Sequence, residues 1–525
     1  MQKTSVCIVG GGVVGAFLFD ELSLLGEKPI LVEKGEDVSL GATKANSGIL
    51  HAGYDCQPNT LKAKYNVLGL KKYKSVAKRL GERLINCGSL VVGDENSLPQ
   101  LQDLKNRGDK NGVKNMSILD RNSLLALEPN LADNIKWGLF AKDACIISPY
   151  HFCVSLIEEG IANGGKIKLN FEPQKIVKIP TEIIAKLPKN TDFWQISQTI
   201  NDYEQKAKNS SEMLQEDSCY VVLSDDDFVI CNSIINCSGR GLNEISKLLD
   251  EKIFPLQLVK GEYILLDNSE GSLVHRPIFP LPSKIYGKGI LACPTVHGNI
   301  FFGPTAVPVD KYDTSVSSSS LAIIKNNALK LIKNINFRKT IKLYAGIRVK
   351  TGNDFEIYFS QKNLGFVTLA GICSPGLTSA PALALDVIKY LQKIGIVKNK
   401  KIDSQKIIKR KPYTRIFELN HSQLDQLIKQ NGDYGEIVCN CEKITKGEIL
   451  EVLKNSPIKP LTTDGVKRRL RTTMGHCQGS FCYGKLAKIM AEYYGVDESE
   501  IIFRGNTSLI VNDIKNGGIY EQNKK

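Results

Sequence analysis

The chain has 525 residues, which implies about two to four domains, and its 42% hydrophobic content is that of a protein with a sizeable buried core. The net charge of +14 comes from lysines spread along the whole chain. Such a charge could suggest nucleic acid or an anionic surface, but no arginine–aromatic module accompanies it, so nucleic-acid binding is not expected and the charge is only mild support for an anionic substrate. The N-terminal apolar run 5–10 is too short for a secretory signal, and no stretch approaches the ~20 apolar residues of a membrane span. Together with fourteen cysteines, this predicts a reducing, cytoplasmic location. Peripheral membrane association stays open.

Val6-Cys7-Ile8-Val9 predicts a short strand, Gly10-Gly11-Gly12-Val13-Val14-Gly15 a glycine turn, and 16–25 a helix. Pro29-Ile30-Leu31-Val32-Glu33 then reads as a second strand ending in an acid. Each part suits a dinucleotide. Gly10 makes the turn, Gly12 lets the backbone approach a pyrophosphate, and Gly15 lets helix and strand pack closely. The helix N-terminus faces the phosphate charge, and Glu33 accepts from ribose hydroxyls. FAD and NAD both fit at this point.

The next segment, 39–55, is dense in small and hydroxyl residues and can lie against a flat ring. Its stretch Ala45-Asn46-Ser47-Gly48-Ile49-Leu50-His51-Ala52-Gly53-Tyr54-Asp55 resembles the FAD-dependent oxidoreductases of the D-amino-acid-oxidase superfamily, especially the glycerol-3-phosphate and 2-hydroxyglutarate members. The resemblance implies FAD as cofactor and Thr43, Asn46, Ser47 and Gly48 as flavin-loop contacts. His51 lies in that loop. Alcohol oxidation needs a base for the hydroxyl proton, and an imidazole of pKa ~6.5 could serve. His275 is the next histidine candidate.

Later segments resemble the same family. In Phe171-Glu172-Pro173, proline stands where the family has an adenine-contacting valine, and proline has no N–H to donate. The polar stretch 180–218 reads as a surface insertion or flexible loop. Asn236-Cys237-Ser238-Gly239 resembles the second strand-to-glycine motif. Val259-Lys260-Gly261-Glu262-Tyr263 resembles an active-site strand, and Ala345-Gly346-Ile347-Arg348 the segment with a substrate-binding arginine. Arg348, Lys260 and Lys284 are the candidate cations for a phosphate or carboxylate. Ala370-Gly371 through Pro375-Gly376-Leu377-Thr378 resembles the glycine-rich turn and helix start beside the flavin, which makes Gly371, Gly376, Leu377 and Thr378 contacts.

Near the C-terminus, Cys439-Asn440-Cys441 and Cys477 with Cys482 form C-x-C and C-x₄-C pairs separated by 35 residues. Such pairs can converge on one tetrathiolate site, and spacing alone leaves zinc and iron–sulfur open. The surrounding Thr462-Thr463-Asp464-Gly465 and Met474-Gly475-His476-Cys477-Gln478-Gly479 resemble the [2Fe-2S] domain of the bacterioferritin-associated-ferredoxin type. A cluster, unlike zinc, offers electrons an exit from a flavin.

The expected fold is therefore α/β. A doubly wound FAD-binding part lies near 1–85, 141–258 and 340–397, and a mixed or antiparallel substrate sheet near 86–140 and 259–339. A linker at 398–435, a [2Fe-2S] domain at 436–495 and a tail at 496–525 follow. The resemblance implies FAD-dependent oxidation of glycerol 3-phosphate with electrons leaving through the cluster to a redox partner protein. The alternatives are oxidation of 2-hydroxyglutarate or an amino or opine acid, and a zinc-stabilised non-catalytic binding protein.

Overall fold

The computed structural model describes residues 2–209, 217–282, 289–400, 402–403, 405–505 and 507–509. It divides into a unit of Met1–Lys34 with Val38–Arg410 and a unit of Gly35–Asp37 with Lys411–Lys525. Among the described residues no helix is long and apolar enough to cross a membrane.

The first unit contains two large sheets. In one, the strand Lys3–Val9 lies parallel between Ile30–Val32 and Phe228–Asn236. Lys166–Lys168 extends it beyond Ile30–Val32, and Phe366–Ala370 pairs with the end of Phe228–Asn236. Val6, Cys7, Ile8 and Val9 are all buried. A parallel strand covered on both faces needs such a continuous apolar run rather than an alternation. The helices Val13–Leu24, Leu61–Leu80, Pro149–Ala162 and Gly376–Lys393 pack on one another in this unit.

The polar stretch after Lys175–Pro180, expected as a surface insertion or flexible loop, contains helices Thr181–Ala185 and Phe193–Asn209; residues 210–216 of that stretch lie outside the described residues. Ile184, Ile196 and Ile200 bury against Ile179, Val221 and Ile230. Ile196 and Ile200 stand four apart, one helical turn, within an otherwise polar composition.

The second sheet is mixed. Gln257–Leu266 pairs antiparallel along its length with Thr340–Lys350, and Ile278–Pro280 runs parallel to Ser89–Gly93. Thr340–Lys350 belongs to this sheet, although 340–397 was expected in the FAD part; pairing with a strand some eighty positions upstream decides it. Successive residues of a strand face opposite sides. Thus Ile264 and Leu266 join a core with Phe302 and Ile324, while Tyr263 joins one with Ile49, Ala52 and Phe279.

Arg410 is buried between Glu82 and Glu158, at 2.8 Å from each. The stretch expected as linker from 398 is therefore tied to the first unit as far as this residue.

The second unit has a short hairpin, Ile437–Cys439 with Ile444–Thr445. Helices His421–Gln430, Lys446–Asn455, Thr463–Leu470 and Tyr483–Tyr494 accompany it. Val438, Ile449, Val452, Val466, Leu486 and Met490 form its core. Asn420 and Thr445 open their helices with full capping boxes. Buried Asp37 accepts from Arg468 at 2.9 Å and Arg469 at 2.8 Å. Burial alone would raise its pKa, but the Arg469 and Arg468 charges and hydrogen bonds bring it down to about 2.

Candidate active site

The glycine turn has the contacts expected of a phosphate cradle. Gly10 adopts φ +110° and donates its N–H to the Val32 carbonyl at 2.9 Å. A Cβ on Gly15 would lie 2.1 Å from the Gly10 carbonyl oxygen, so only glycine allows this approach of helix to strand. Gly12 caps the helix Val13–Leu24 without a side-chain hydrogen bond, and no acid occupies the first turn. Other helices here begin on capping side chains, such as Thr60, Asp120 and Thr462. A helix end with a bare glycine cap leaves N–H groups and positive potential for an anion. Thr43 Oγ1 accepts one of them, from Val13, at 3.0 Å.

Glu33 Oε2 accepts the Gly11 N–H at 2.7 Å, so its carboxylate is held at the turn. The Glu33 carbonyl accepts the Phe171 N–H at 3.0 Å, which brings the segment leading to Pro173 alongside. Gly239, at φ +61°, follows the crossing where Gly10 meets Cys237: a Cβ on Gly10 would be 2.7 Å from the Cys237 carbonyl oxygen. This cradle fits a pyrophosphate-bearing cofactor.

The loop after Thr43 is braced by its own side chains. The Asn46 amide donates to the Thr43 carbonyl at 2.7 Å, and its Oδ1 accepts the Gly48 N–H at 2.8 Å. Ser47 between them is half-buried. Gly48 is left-handed at φ +65°, with the Ile147 carbonyl oxygen 2.5 Å from where a Cβ would be. The His51 N–H donates to Thr378 Oγ1 at 3.0 Å, and the His51 carbonyl accepts from Asn66 at 2.7 Å. Its half-buried ring packs against Phe279 with centroids 5.9 Å apart.

Thr378 belongs to the helix Gly376–Lys393, which also lacks a side-chain cap and a first-turn acid. Gly371, at φ +67°, precedes this start. The Tyr73 hydroxyl donates to the Leu377 carbonyl, and Gly69 lets its helix press against the Thr378 carbonyl. Tyr73 and Gly69 escaped the sequence reading, because their partners lie some three hundred residues away.

Arg348 and Lys260 do not share a side of the sheet. Arg348 pairs with Val259, whereas Lys260 pairs with Ile347. Arg348 therefore faces with Gly261, Tyr263, Tyr344 and Gly346, and Tyr263 and Tyr344 stack there at 4.6 Å. A Cβ on Gly346 would be 2.1 Å from the Ala45 carbonyl oxygen, so this face lies against the flavin-type loop. Phe279 and Tyr263 share one apolar cluster. The structure thus brings His51 and Arg348 to the same side of the sheet.

Lys260 points the other way. Its buried ammonium donates to Asp313 at 2.9 Å and to the Ser315 carbonyl at 3.0 Å. Lys260, a candidate substrate cation from the sequence, is engaged in this ion pair on the face opposite to Arg348. Lys284 lies outside the described residues. His275 is exposed, with Nδ1 3.3 Å from Glu128 Oε2.

In the second unit the four clustered cysteines form two pairs. Cys441 Sγ and Cys477 Sγ are 3.5 Å apart, and the Cys439 and Cys482 thiols hydrogen-bond each other. The Cys482 contact draws the Cys439 pKa down to about 6, helped by backbone N–H groups of Glu442 and Thr473. Burial raises Cys477, but N–H groups of Phe481 and Gly479 more than offset it. Left-handed residues at Thr473, Gln478 and Gly479 shape the loops that supply these donors. Among the described residues no three His, Cys, Asp or Glu donors surround a single ion. Two thiol pairs with inward N–H groups fit a dinuclear cluster, in which each iron takes two thiolates.

Comparison with known proteins agrees with this geometry. Residues 5–389 match the family described as FAD dependent oxidoreductase, and residues 437–492 match the BFD-like [2Fe-2S] binding domain. A protein of Caloramator mitchellensis named glycerol 3-phosphate dehydrogenase is 35% identical over 501 residues, covering 94% of this chain and 95% of that one. Glycerol 3-phosphate oxidase of Mycoplasma genitalium is 31% identical over 400 residues, covering 74% and 95%. Among solved structures, the dithionite-reduced L-alpha-glycerophosphate oxidase of Mycoplasma pneumoniae with FAD bound has a TM-score of 0.64 at 28% identity, covering 75% of this chain and 95% of that one. The chain belongs to the FAD dependent oxidoreductase family and carries a BFD-like [2Fe-2S] binding domain toward its C-terminus.

Proposed function

We propose that the protein oxidises glycerol 3-phosphate to dihydroxyacetone phosphate. The observation that carries the reading is the 35% identity to a relative of that name, spanning 94% of this chain including the cysteine-bearing end. FAD supplies the hydride acceptor, and a [2Fe-2S] cluster supplies a one-electron exit.

Gly10, Gly12 and Gly15 hold the pyrophosphate at the helix start, with Glu33 on the adenosine ribose. Pro173 and Gly239 border the adenosine side. Thr43, Asn46, Ser47 and Gly48 form the loop against the flavin, and Gly371, Gly376, Leu377 and Thr378 face it from the second helix start. His51 takes the substrate hydroxyl proton on its imidazole. Its backbone is pinned on both sides, by Thr378 and Asn66, which fixes the segment that carries the ring. Arg348 holds the phosphate through its guanidinium fork. Cys439, Cys441, Cys477 and Cys482 ligate the cluster, and a one-electron carrier protein removes the electrons. The fourteen thiols, none of them in a disulfide, favour a reducing, cytoplasmic setting.

The test is a substrate panel with spectral monitoring of the purified holoenzyme. Glycerol 3-phosphate should bleach the flavin and reduce a dye. Bleaching by 2-hydroxyglutarate or an amino acid instead would overturn the substrate assignment. A preparation without cluster absorbance would overturn the electron exit.

A further inference from the structure

Glu262 is fully buried on the face of its strand opposite to Arg348, among groups the reaction does not use. Its carboxylate accepts from the Thr305 hydroxyl at 3.0 Å and from the Ser317 N–H at 2.8 Å. The Glu262 N–H donates to Thr305 Oγ1 at 3.0 Å, and the Thr305 N–H donates to the Glu262 carbonyl at 3.2 Å. Three hydrogen bonds thus fix Thr305 to one residue. Burial pushes the Glu262 pKa up, but hydrogen bonds from Ser320, Ser317 and Thr305 and the Lys260 charge bring it below the ordinary range, so it is an anion. Lys260 Nζ stands 4.0 Å from Glu262 Oε1 and also grips Asp313, so the segment from Thr305 to Ser317 is tied down at several points.

The carbonyl of Thr305 accepts from Arg348 Nη2. Space on the strand between them is close: a Cβ on Gly261 would be 3.0 Å from Arg348 Nη2 and 3.4 Å from the Thr305 carbonyl oxygen. An arginine at the end of a long flexible side chain needs such a fixed acceptor to present the rest of its fork in one direction.

We infer that Glu262 is a positioning residue for Arg348 and acts across the sheet through Thr305. The inference rests on the reading of Arg348 as the group that holds the anionic end of the substrate. Glu262 touches neither substrate nor cofactor. Loss of its grip lets the Thr305 carbonyl, and with it the guanidinium, sample other orientations. Binding of the anion weakens, while proton removal by His51 is left intact.

The experiment compares Thr305→Val, Thr305→Ser, Glu262→Gln and Arg348→Met as full-chain holoenzymes with glycerol 3-phosphate. Thr305→Val deletes the hydroxyl link and keeps the shape. It should raise KM about five- to tenfold, the worth of roughly one hydrogen bond, with kcat within about twofold. Thr305→Ser keeps the hydroxyl and should restore KM. In an Arg348→Met background, Thr305→Val should change KM no further, since its effect runs through the missing guanidinium. Glu262→Gln should mirror Thr305→Val if it folds; Thr305→Val decides if it does not. Full additivity in the Arg348→Met background, or a kcat loss with unchanged KM, overturns the inference while leaving the substrate reading in place. An unchanged KM in Arg348→Met alone overturns the reading of Arg348 itself.

Discussion

Gly12→Ala and Gly15→Ala, three residues apart, should fail in different ways. A Cβ on Gly15 would be 2.1 Å from the Gly10 carbonyl oxygen and 3.4 Å from Ile8 Cγ2. The contact is backbone to backbone, so no side chain can swing away. Helix and strand must separate by roughly 1 Å, which overpacking data price at about 1–3 kcal/mol of folding stability. The same shift withdraws the helix N-terminus from the phosphate. Gly12 lies at φ −80°, and its Cβ would meet only Thr43 Oγ1, at 3.4 Å. Gly12→Ala should therefore change the stability of the FAD-free protein by less than about 0.5 kcal/mol. FAD should nonetheless bind at least tenfold more weakly, because the methyl occupies the space that the pyrophosphate needs. Urea unfolding of the FAD-free variants reads the first effect, and flavin fluorescence on titration reads the second. Wild-type FAD affinity in Gly12→Ala, or wild-type stability in Gly15→Ala, would refute this account of the cradle.

His51→Gln keeps a polar side chain but removes the imidazole proposed as the base, and kcat for glycerol 3-phosphate should fall about 10²–10⁴-fold in stopped-flow flavin reduction. Cys477→Ser should lose the cluster's visible absorbance while substrate still bleaches the flavin; electron delivery to a one-electron acceptor should drop, and an unchanged spectrum would remove Cys477 from the ligand set. Asp37 has a pKa of about 2 when folded, against an ordinary 3.8. A depressed carboxyl contributes stability above the unfolded value and loses it as pH falls through the folded one. The chain should thus lose roughly 2 kcal/mol of stability between about pH 4 and pH 2 from this group, and Asp37→Asn should flatten that part of the acid unfolding curve. Asp37→Asn should also cost about 3–5 kcal/mol at neutral pH, because Arg468 and Arg469 stay buried without their counter-charge.

Features closed by neighbours in the chain were open to reading from residue order. The turn Gly10–Gly15 and Glu33 belong to one strand–helix–strand unit, and the spacing of its glycines follows from close contacts within that unit. The C-x-C and C-x₄-C spacings are equally local, although the structure pairs Cys441 with Cys477 and Cys439 with Cys482 across them. The helices at 181–209 were also written in the sequence, in Ile196 and Ile200 one turn apart, but the polar composition around them hid the signal.

The sides of the second sheet are another matter. Lys260 and Arg348 both read as cations on strands, and each alone suits an anion. Only the register, Val259 to Arg348 and Lys260 to Ile347, puts them on opposite faces. A shift of one residue would put both on the same face, because side chains alternate with a period of two. The same pairing stacks Tyr263 on Tyr344 and makes Thr305 the bridge from Glu262 to Arg348. The sequence by itself determined which chemistry the chain can hold, since cofactor motifs are short-range patterns of backbone freedom and ligand type. The tertiary structure alone decided which charged groups share the face that meets the loop 43–51, since that depends on strand pairing across some eighty residues.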